Sequence, residues 1–286
     1  MDETTFAHAI LNGNLLPFDQ ACVPLNNKAL LSAFGVYETI KVERGRPFYL
    51  EEHFRRLLHS AGMLGINLGV DVSTLVDWFE PLAKLYPAAT YSLRTLALGA
   101  IDSAGPLIAM WPEPLPTYPA DLYQHGAAAI LYEGQRAIPA CKSLNTLVNT
   151  LARQAATRAG ALEGLLHHHG YLTEGARSNL FVVQQGQLFT PPAAGVLSGI
   201  TRDVVLQVMQ PTAYPVSEVP LPVDISLYDE IFISSTSMHV MPITRIDGQP
   251  VGTGRVGPVT QLVMTHFAAH YCHSMGFAVS NCGPLE

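Results

Sequence analysis

Apolar and polar residues alternate along VYETIKVERGRPFYL (36–50), which predicts two strands joined at Arg44-Gly45-Arg46. The period then changes. In EEHFRRLLHSAGML the apolar residues Phe54, Leu57, Leu58, Ala61 and Leu64 recur at helical spacing. A second helix is predicted over 73–85, and YSLRTLALG reads as a strand. WPEPLPTYPADLYQHG (111–126), with four prolines and little periodicity, reads as the linker region between two domains. After it come the strand AAAILYE, a loop, and a helix capped by Ser143 whose buried face is Leu144, Leu147, Val148, Leu151 and Ala155. A β-rich run follows: GLLHHHGYLTEG, then NLFVVQQGQLFTPP, a hairpin turning at Gln185-Gly186. LSGITRDVVLQV is a glycine-bearing turn that opens a helix. DEIFISSTS is a strand ending in hydroxyls, and an amphipathic helix of about 257–275 closes the pattern.

Composition narrows the classes of function. With 286 residues, 48% hydrophobic and only 14% charged, the chain can bury a core and is not a disordered one. A net charge of −7 with no run of Lys or Arg argues against a general nucleic-acid or anionic-membrane role. No apolar stretch reaches a membrane span, and MDETTFAHAILNG lacks the profile of a signal peptide. The scattered cysteines, Cys22, Cys141, Cys272 and Cys282, suit reduced thiols and a cytoplasmic location.

Lysine is scarce: Lys28, Lys41, Lys84 and Lys142 stand against twelve arginines. At a predicted helix entry, Lys142 opposes the helix dipole, and dipole and partial burial both favour the neutral amine that a Schiff-base lysine needs. The plain alternative is a surface lysine at a helix start. Glu174, in YLTEGARSN, is either a turn carboxylate or, paired with such a lysine, the partner of a pyridine nitrogen in pyridoxal phosphate (PLP). Gly199-Ile200-Thr201 at a helix start offers N–H groups and a hydroxyl to a phosphate, with further hydroxyls in Ser234-Ser235-Thr236-Ser237. Arg56 is an exposed helix arginine or an added phosphate charge. The histidines of HHH (167–169) point to alternate faces of a strand, so they cannot all converge on a metal, and no metal site is expected. His239 is read as a packing residue.

The order of these signals resembles the fold-type IV PLP enzymes. That family includes D-amino acid and branched-chain aminotransferases, aminodeoxychorismate lyase and (R)-amine transaminases. The matching stretches are FGVYETIKVERGRPFYLEEHFRRL, KSLNTLVNTLARQ, GYLTEGARSNLFVVQQGQLFTPP, SGITRDVV, DEIFISSTSMHVMPI and IDGQPVGTGRVGPVTQL. The resemblance implies a two-domain α/β (α+β) fold. A smaller N-terminal α/β domain (1–117) and a linker (118–126) precede a larger, β-barrel-like α/β domain (127–286), with the site between the domains. It implies Lys142 as the Schiff-base lysine, Glu174 at the pyridine nitrogen and Arg56 at the phosphate. Ile200, Thr201, Ser235 and Thr236 would also hold the phosphate, and Leu197 would pack on the ring. Arg136 would approach the phenolic oxygen.

Three places depart from the family pattern, all where substrate is read: LLSAFGVYE, LALGA and Arg177. Tyr37 is expected to face substrate, and Arg177 to pair the substrate carboxylate, with Arg94 as the competing candidate. The reading is a transaminase moving an amino group between an amino acid, D- by preference, and a 2-oxo acid. The alternatives are aminodeoxychorismate lyase and branched-chain or (R)-amine transaminase. A non-catalytic binding protein would have no use for Lys142, Glu174, Arg56 and Thr201 together. The resemblance also implies a homodimer.

Overall fold

The computed structural model describes residues 6–101 and 105–278. The chain divides into two units by internal contacts. One comprises Met1–Pro116 with Cys141–Asn145, the other Thr117–Ala140 with Thr146–Glu286. The single boundary read from the proline-rich stretch therefore becomes three crossings, and the five residues around Lys142 belong with the first unit.

The first unit holds β1 (His8–Leu11), β2 (Asn14–Pro17), α1 (Lys28–Leu31), β3 (Gly35–Glu43), β4 (Arg46–Pro47), α2 (Leu50–Met63), α3 (Val72–Leu85), β5 (Tyr91–Leu98) and β6 (Leu107–Glu113). The strands form one sheet in the order β2-β1-β6-β5-β3-β4. Alternation along β3 sorts its side chains. Val36, Ile40 and Val42 join Phe54 and Leu57 of α2 and Leu75, Phe79 and Leu82 of α3 in a fully enclosed core. Tyr37 and Thr39 lie on the other face and stay half-buried. The β3–β4 turn takes Arg44 and Gly45 through positive φ, as the sequence predicts. A Cβ at Gly45 would lie 2.1 Å from the Pro87 carbonyl oxygen.

The second unit holds α4 (Ala120–His125), β7 (Ala127–Glu133), α5 (Leu147–Arg158), β8 (Glu163–His168), β9 (Tyr171–Gly175), β10 (Asn179–Gln184), β11 (Gln187–Thr190), α6 (Ile200–Met209), β12 (Val216–Glu218), β13 (Leu221–Pro222), β14 (Glu230–Ser235), β15 (His239–Ile246), β16 (Gln249–Pro250) and α7 (Pro258–Met275). Helix α4 takes up most of the expected linker. The sheet runs β12-β11-β10-β14-β15-β7-β8-β9-β13, and an extra pairing of β9 with β10 closes six of these strands into a barrel-like ring. The closing pair is Glu174 with Asn179. Leu165, Leu172, Leu180, Val182, Ile231 and Ile233 pack in one core, while Phe181 and Phe232 stack at 4.8 Å between centroids.

Two local expectations are corrected. Ser143 does not cap a helix. It bridges Val36 of β3, and the helix starts at Leu147, capped at Thr146 with no side-chain hydrogen bond. Nor is the Leu147/Leu151 stripe of α5 buried: these side chains are 66% and 42% exposed, and Ala152 and Ala156 face inward instead. Cys22 and Cys141 are free thiols as expected, but Cys272 is disulfide-bonded; Cys282 lies outside the described residues. No helix among the described residues is long and apolar enough to cross a membrane.

Helix α7 starts at Gly257, which brings no side-chain cap of its own. The buried Glu230 on β14 supplies one, accepting the N–H groups of Val259 (3.1 Å) and Thr260 (2.7 Å). A Cβ at residue 257 would fall 2.0 Å from the Glu230 carboxyl carbon, so only glycine admits this approach. Glu230→Ala should lower stability by about 2 kcal/mol, the upper range for a lost cap. A urea midpoint equal to that of the parent would contradict the capping role.

Candidate active site

In the first unit, Lys142 sits on a short extended segment laid against β3. The Tyr37 N–H donates to the Lys142 carbonyl (3.0 Å), and the Leu144 N–H donates to the Gly35 carbonyl (2.9 Å). The Lys142 N–H is bound by the Ser60 hydroxyl of α2 at 3.2 Å. Lys142 is thus held by strand pairing and not at a helix entry, so the dipole argument lapses. Its half-buried Nζ lies 4.7 Å from the centre of the Tyr37 ring. Arg94, paired with Thr39 across β3 and β5, brings its guanidinium carbon to 5.7 Å from the same ring. Arg94 also donates to the Thr39 hydroxyl (2.6 Å) and faces Glu113 at 3.4 Å.

The core face of β3 carries a charge, Glu38. Glu38 is fully buried and receives Arg56 as a fork, Nε to Oε1 and Nη2 to Oε2, both at 2.7 Å. His53 Nδ1 lies 2.8 Å from the same carboxylate. Burial opposes ionisation of Glu38, but Arg56 and His53 outweigh it and hold the carboxyl far below the usual range. Burial pushes His53 down, against Glu38 and with help from Arg56 and Lys142. An ionised carboxylate only accepts, so His53 in its neutral form would carry its proton on Nδ1. The signal was available in sequence: His53 and Arg56 are three apart on one helix face, and Glu38 shares its strand face with the apolar Val36, Ile40 and Val42.

In the second unit, Glu174 ends β9 with its side chain 7% exposed. Arg136 donates to it through Nε (2.7 Å) and Nη2 (3.4 Å), and its Nη2 also reaches the Pro139 carbonyl. The Leu197 N–H donates to Glu174 Oε2 at 3.2 Å, the oxygen that Arg136 Nη2 also reaches, and the Leu197 carbonyl accepts from the Asn179 amide at 2.8 Å. This clamp leads into α6, where Gly199 provides no side-chain cap and Ile200 and Thr201 are buried in the first turn. A Cβ at Gly199 would lie 1.9 Å from Asn179 Oδ1. Half-buried Ser235 and Thr236 stand at the end of β14, with the Ser235 hydroxyl accepting the Met238 N–H at 3.2 Å.

Arg177 is not beside Glu174. It donates to the Leu162 carbonyl (3.3 Å) and faces the buried carboxylate of Glu163 at 3.7 Å. Glu163 also accepts the Gly164 N–H and the Ser178 hydroxyl, and so braces the turn that follows Glu174. The histidines of HHH end β8, and His169 enters the turn through positive φ.

A family profile described as amino-transferase class IV matches residues 35–246, and the chain belongs to that family. D-alanine aminotransferase of Bacillus licheniformis is 34% identical over 269 residues, covering 90% of this chain and 94% of that protein. The enzyme of the same name from Staphylococcus aureus (strain COL) is 31% identical over 269 residues, covering 90% and 95%. The branched-chain amino acid aminotransferase of Escherichia coli superposes with a TM-score of 0.87 at 28% identity, covering 95% of this chain and 96% of that one. A branched-chain amino acid aminotransferase from T.th., solved with pyridoxamine 5'-phosphate, gives 0.87 at 26%, covering 99% and 98%. The fold is the mixed α/β fold of the fold-type IV aminotransferases.

Class IV aminotransferases are PLP-dependent. Each unit carries groups of the kind that cofactor takes: in the first, the Lys142 amine against an aromatic ring and the Arg56 guanidinium; in the second, the buried Glu174 carboxylate and a helix start with no side-chain cap.

Glu163 gives a test of the brace. Its burial pushes the carboxyl above the ordinary 4.5, and Arg177, a third exposed and 3.7 Å away, offsets this only in part. A carboxyl raised in the fold contributes stability that is complete below its unfolded value and is lost as pH rises through the folded one. Glu163→Gln should therefore gain stability relative to the parent as pH climbs past 4.5. A difference in thermal midpoint that is constant with pH would contradict this.

Proposed function

We propose that the enzyme transfers an amino group from a D-amino acid to a 2-oxo acid, with Lys142 as the covalent anchor of PLP and its proton carrier. The observation that carries this reading is the Lys142 amine at 4.7 Å from the Tyr37 ring, on a segment fixed to β3 by backbone pairing. The D-alanine aminotransferases, at 31–34% identity, support the choice of donor. Bound PLP supplies a carbonyl that captures the amine and a ring that takes up electrons from the substrate α-carbon. Lys142 would hold that carbonyl through its amine and would carry the proton taken from the substrate α-carbon. Glu174, as a carboxylate, would accept the hydrogen bond of a protonated ring nitrogen, and Leu197 would pack on the ring. Arg56, the N–H groups of Ile200 and Thr201, and the hydroxyls of Thr201, Ser235 and Thr236 take the phosphate. Tyr37 orients the substrate.

The substrate carboxylate falls to Arg94. Both arginines face a glutamate, Arg94 Glu113 and Arg177 Glu163, and what favours Arg94 is that it shares the Tyr37 ring with Lys142. A second reading, transfer from branched-chain L-amino acids, is favoured by the two branched-chain aminotransferase structures. We also assign a homodimer. Leu25 and Leu31 are 91% and 74% exposed, and Leu147 and Leu151 form an exposed apolar stripe on α5.

Borohydride treatment of the loaded protein should fix the cofactor to the peptide containing Lys142, and Lys142→Ala should lose turnover by several orders of magnitude while still folding. Near-parental turnover in that variant would sink the mechanism. D-Alanine, L-leucine and (R)-1-phenylethylamine, added singly, distinguish the donors by which one bleaches the visible band. Bleaching by L-leucine alone would replace the first reading with the second. Sedimentation should give a dimer mass at micromolar concentration; full activity as a monomer would refute the assembly.

A further inference from the structure

Arg136, which the resemblance implies at the cofactor's phenolic oxygen, makes a further contact in this chain. Arg136 is 8% exposed, and its guanidinium forks onto the Glu174 carboxylate. Nothing about packing alone requires this pair, since two apolar side chains of similar volume would fill the same space without desolvating two charges. Arg136 also binds the carbonyl of Pro139, so it fixes the 136–140 loop against Glu174.

A carboxylate facing a pyridine nitrogen shares one proton with it. In a buried setting that proton has two resting places, and the neutral arrangement, carboxylic acid against pyridine, is favoured by desolvation. A guanidinium on the carboxylate changes the balance. It stabilises the carboxylate at hydrogen-bond distance and repels the ring cation from farther away, so the first effect is the larger. We propose that Arg136 is a positioning residue that keeps Glu174 ionised and aimed, so that the shared proton resides on the ring nitrogen of bound PLP. The inference rests on the reading that Glu174 faces that nitrogen. Leu197, whose N–H binds the second oxygen of Glu174, fixes the plane of the carboxylate, while Arg136 sets its charge. The specific consequence is electronic: withdrawal of the cation leaves a carboxyl in place but weakens the electron sink.

The test uses the full-length enzyme loaded with PLP carrying nitrogen-15 in the ring, read by NMR in the resting state. The parent should show a pyridinium shift. Arg136→Gln should move the signal toward the neutral pyridine position, and Arg136→Lys, which keeps the charge, should restore most of it. Glu174→Gln is the control and should give neutral pyridine. A pyridinium shift in Glu174→Gln would mean that Glu174 does not face the nitrogen, and the reading beneath the inference fails. A neutral shift in Glu174→Gln with a pyridinium shift in Arg136→Gln would overturn the inference alone. Thermal midpoints of the apoproteins, and the Lys variant, separate a folding defect from the electronic effect.

Discussion

A carboxylate enclosed in a protein interior must be given donors, and in the first unit Glu38 imposes that condition on everything near it. It stands in the middle of β3, on the face that otherwise carries Val36, Ile40 and Val42, and α2 meets it with Arg56 and His53. The helix cannot slide or rotate without stranding a charge, which costs about 3–5 kcal/mol when one partner of a buried pair is lost. The same strand places Tyr37 on its opposite face and takes the Lys142 segment on its backbone. One buried ion cluster therefore fixes the helix, the guanidinium and, through β3, the platform on which Lys142 rests.

The second unit repeats the logic with other glutamates. Glu230 gives α7 its cap, Glu163 braces the turn after β9, and Glu174 ties Arg136 to the backbone that leads into α6. Chemistry and architecture use the same means here: a buried acid, supplied with specific donors, at a strand end.

Much of this was legible in the sequence because it is local. Period two along β3, period 3.6 along α2, and the turns at Gly45 and Gly186 follow from near neighbours. What was misread depends on distant partners. Lys142 looked like the start of a helix because Leu144, Leu147 and Leu151 have helical spacing, yet residues 141–145 pair with β3, remote in sequence. The leucine stripe of α5 looked like its inner face, but the helix lies so close to β8 that a Cβ at Gly164 would stand 2.9 Å from the Ala152 carbonyl. Only alanine-sized residues fit that contact, and hydrophobic periodicity does not say which of two apolar stripes is the narrow one. Arg177 and Arg136 differ in the same way: each has a glutamate partner, and chain order alone does not reveal that the first takes Glu163 and the second Glu174.

The barrel-like ring closes through one residue pair, Glu174 with Asn179, across the short turn Gly175–Ser178. Side chains alternate with a period of two, so adding or removing a single residue in that turn would invert β10 relative to β9. Glu174 and its neighbours are thus locked to a fixed loop length. At this seam the chain can change by substitution but not by insertion or deletion of a single residue without turning β10 over.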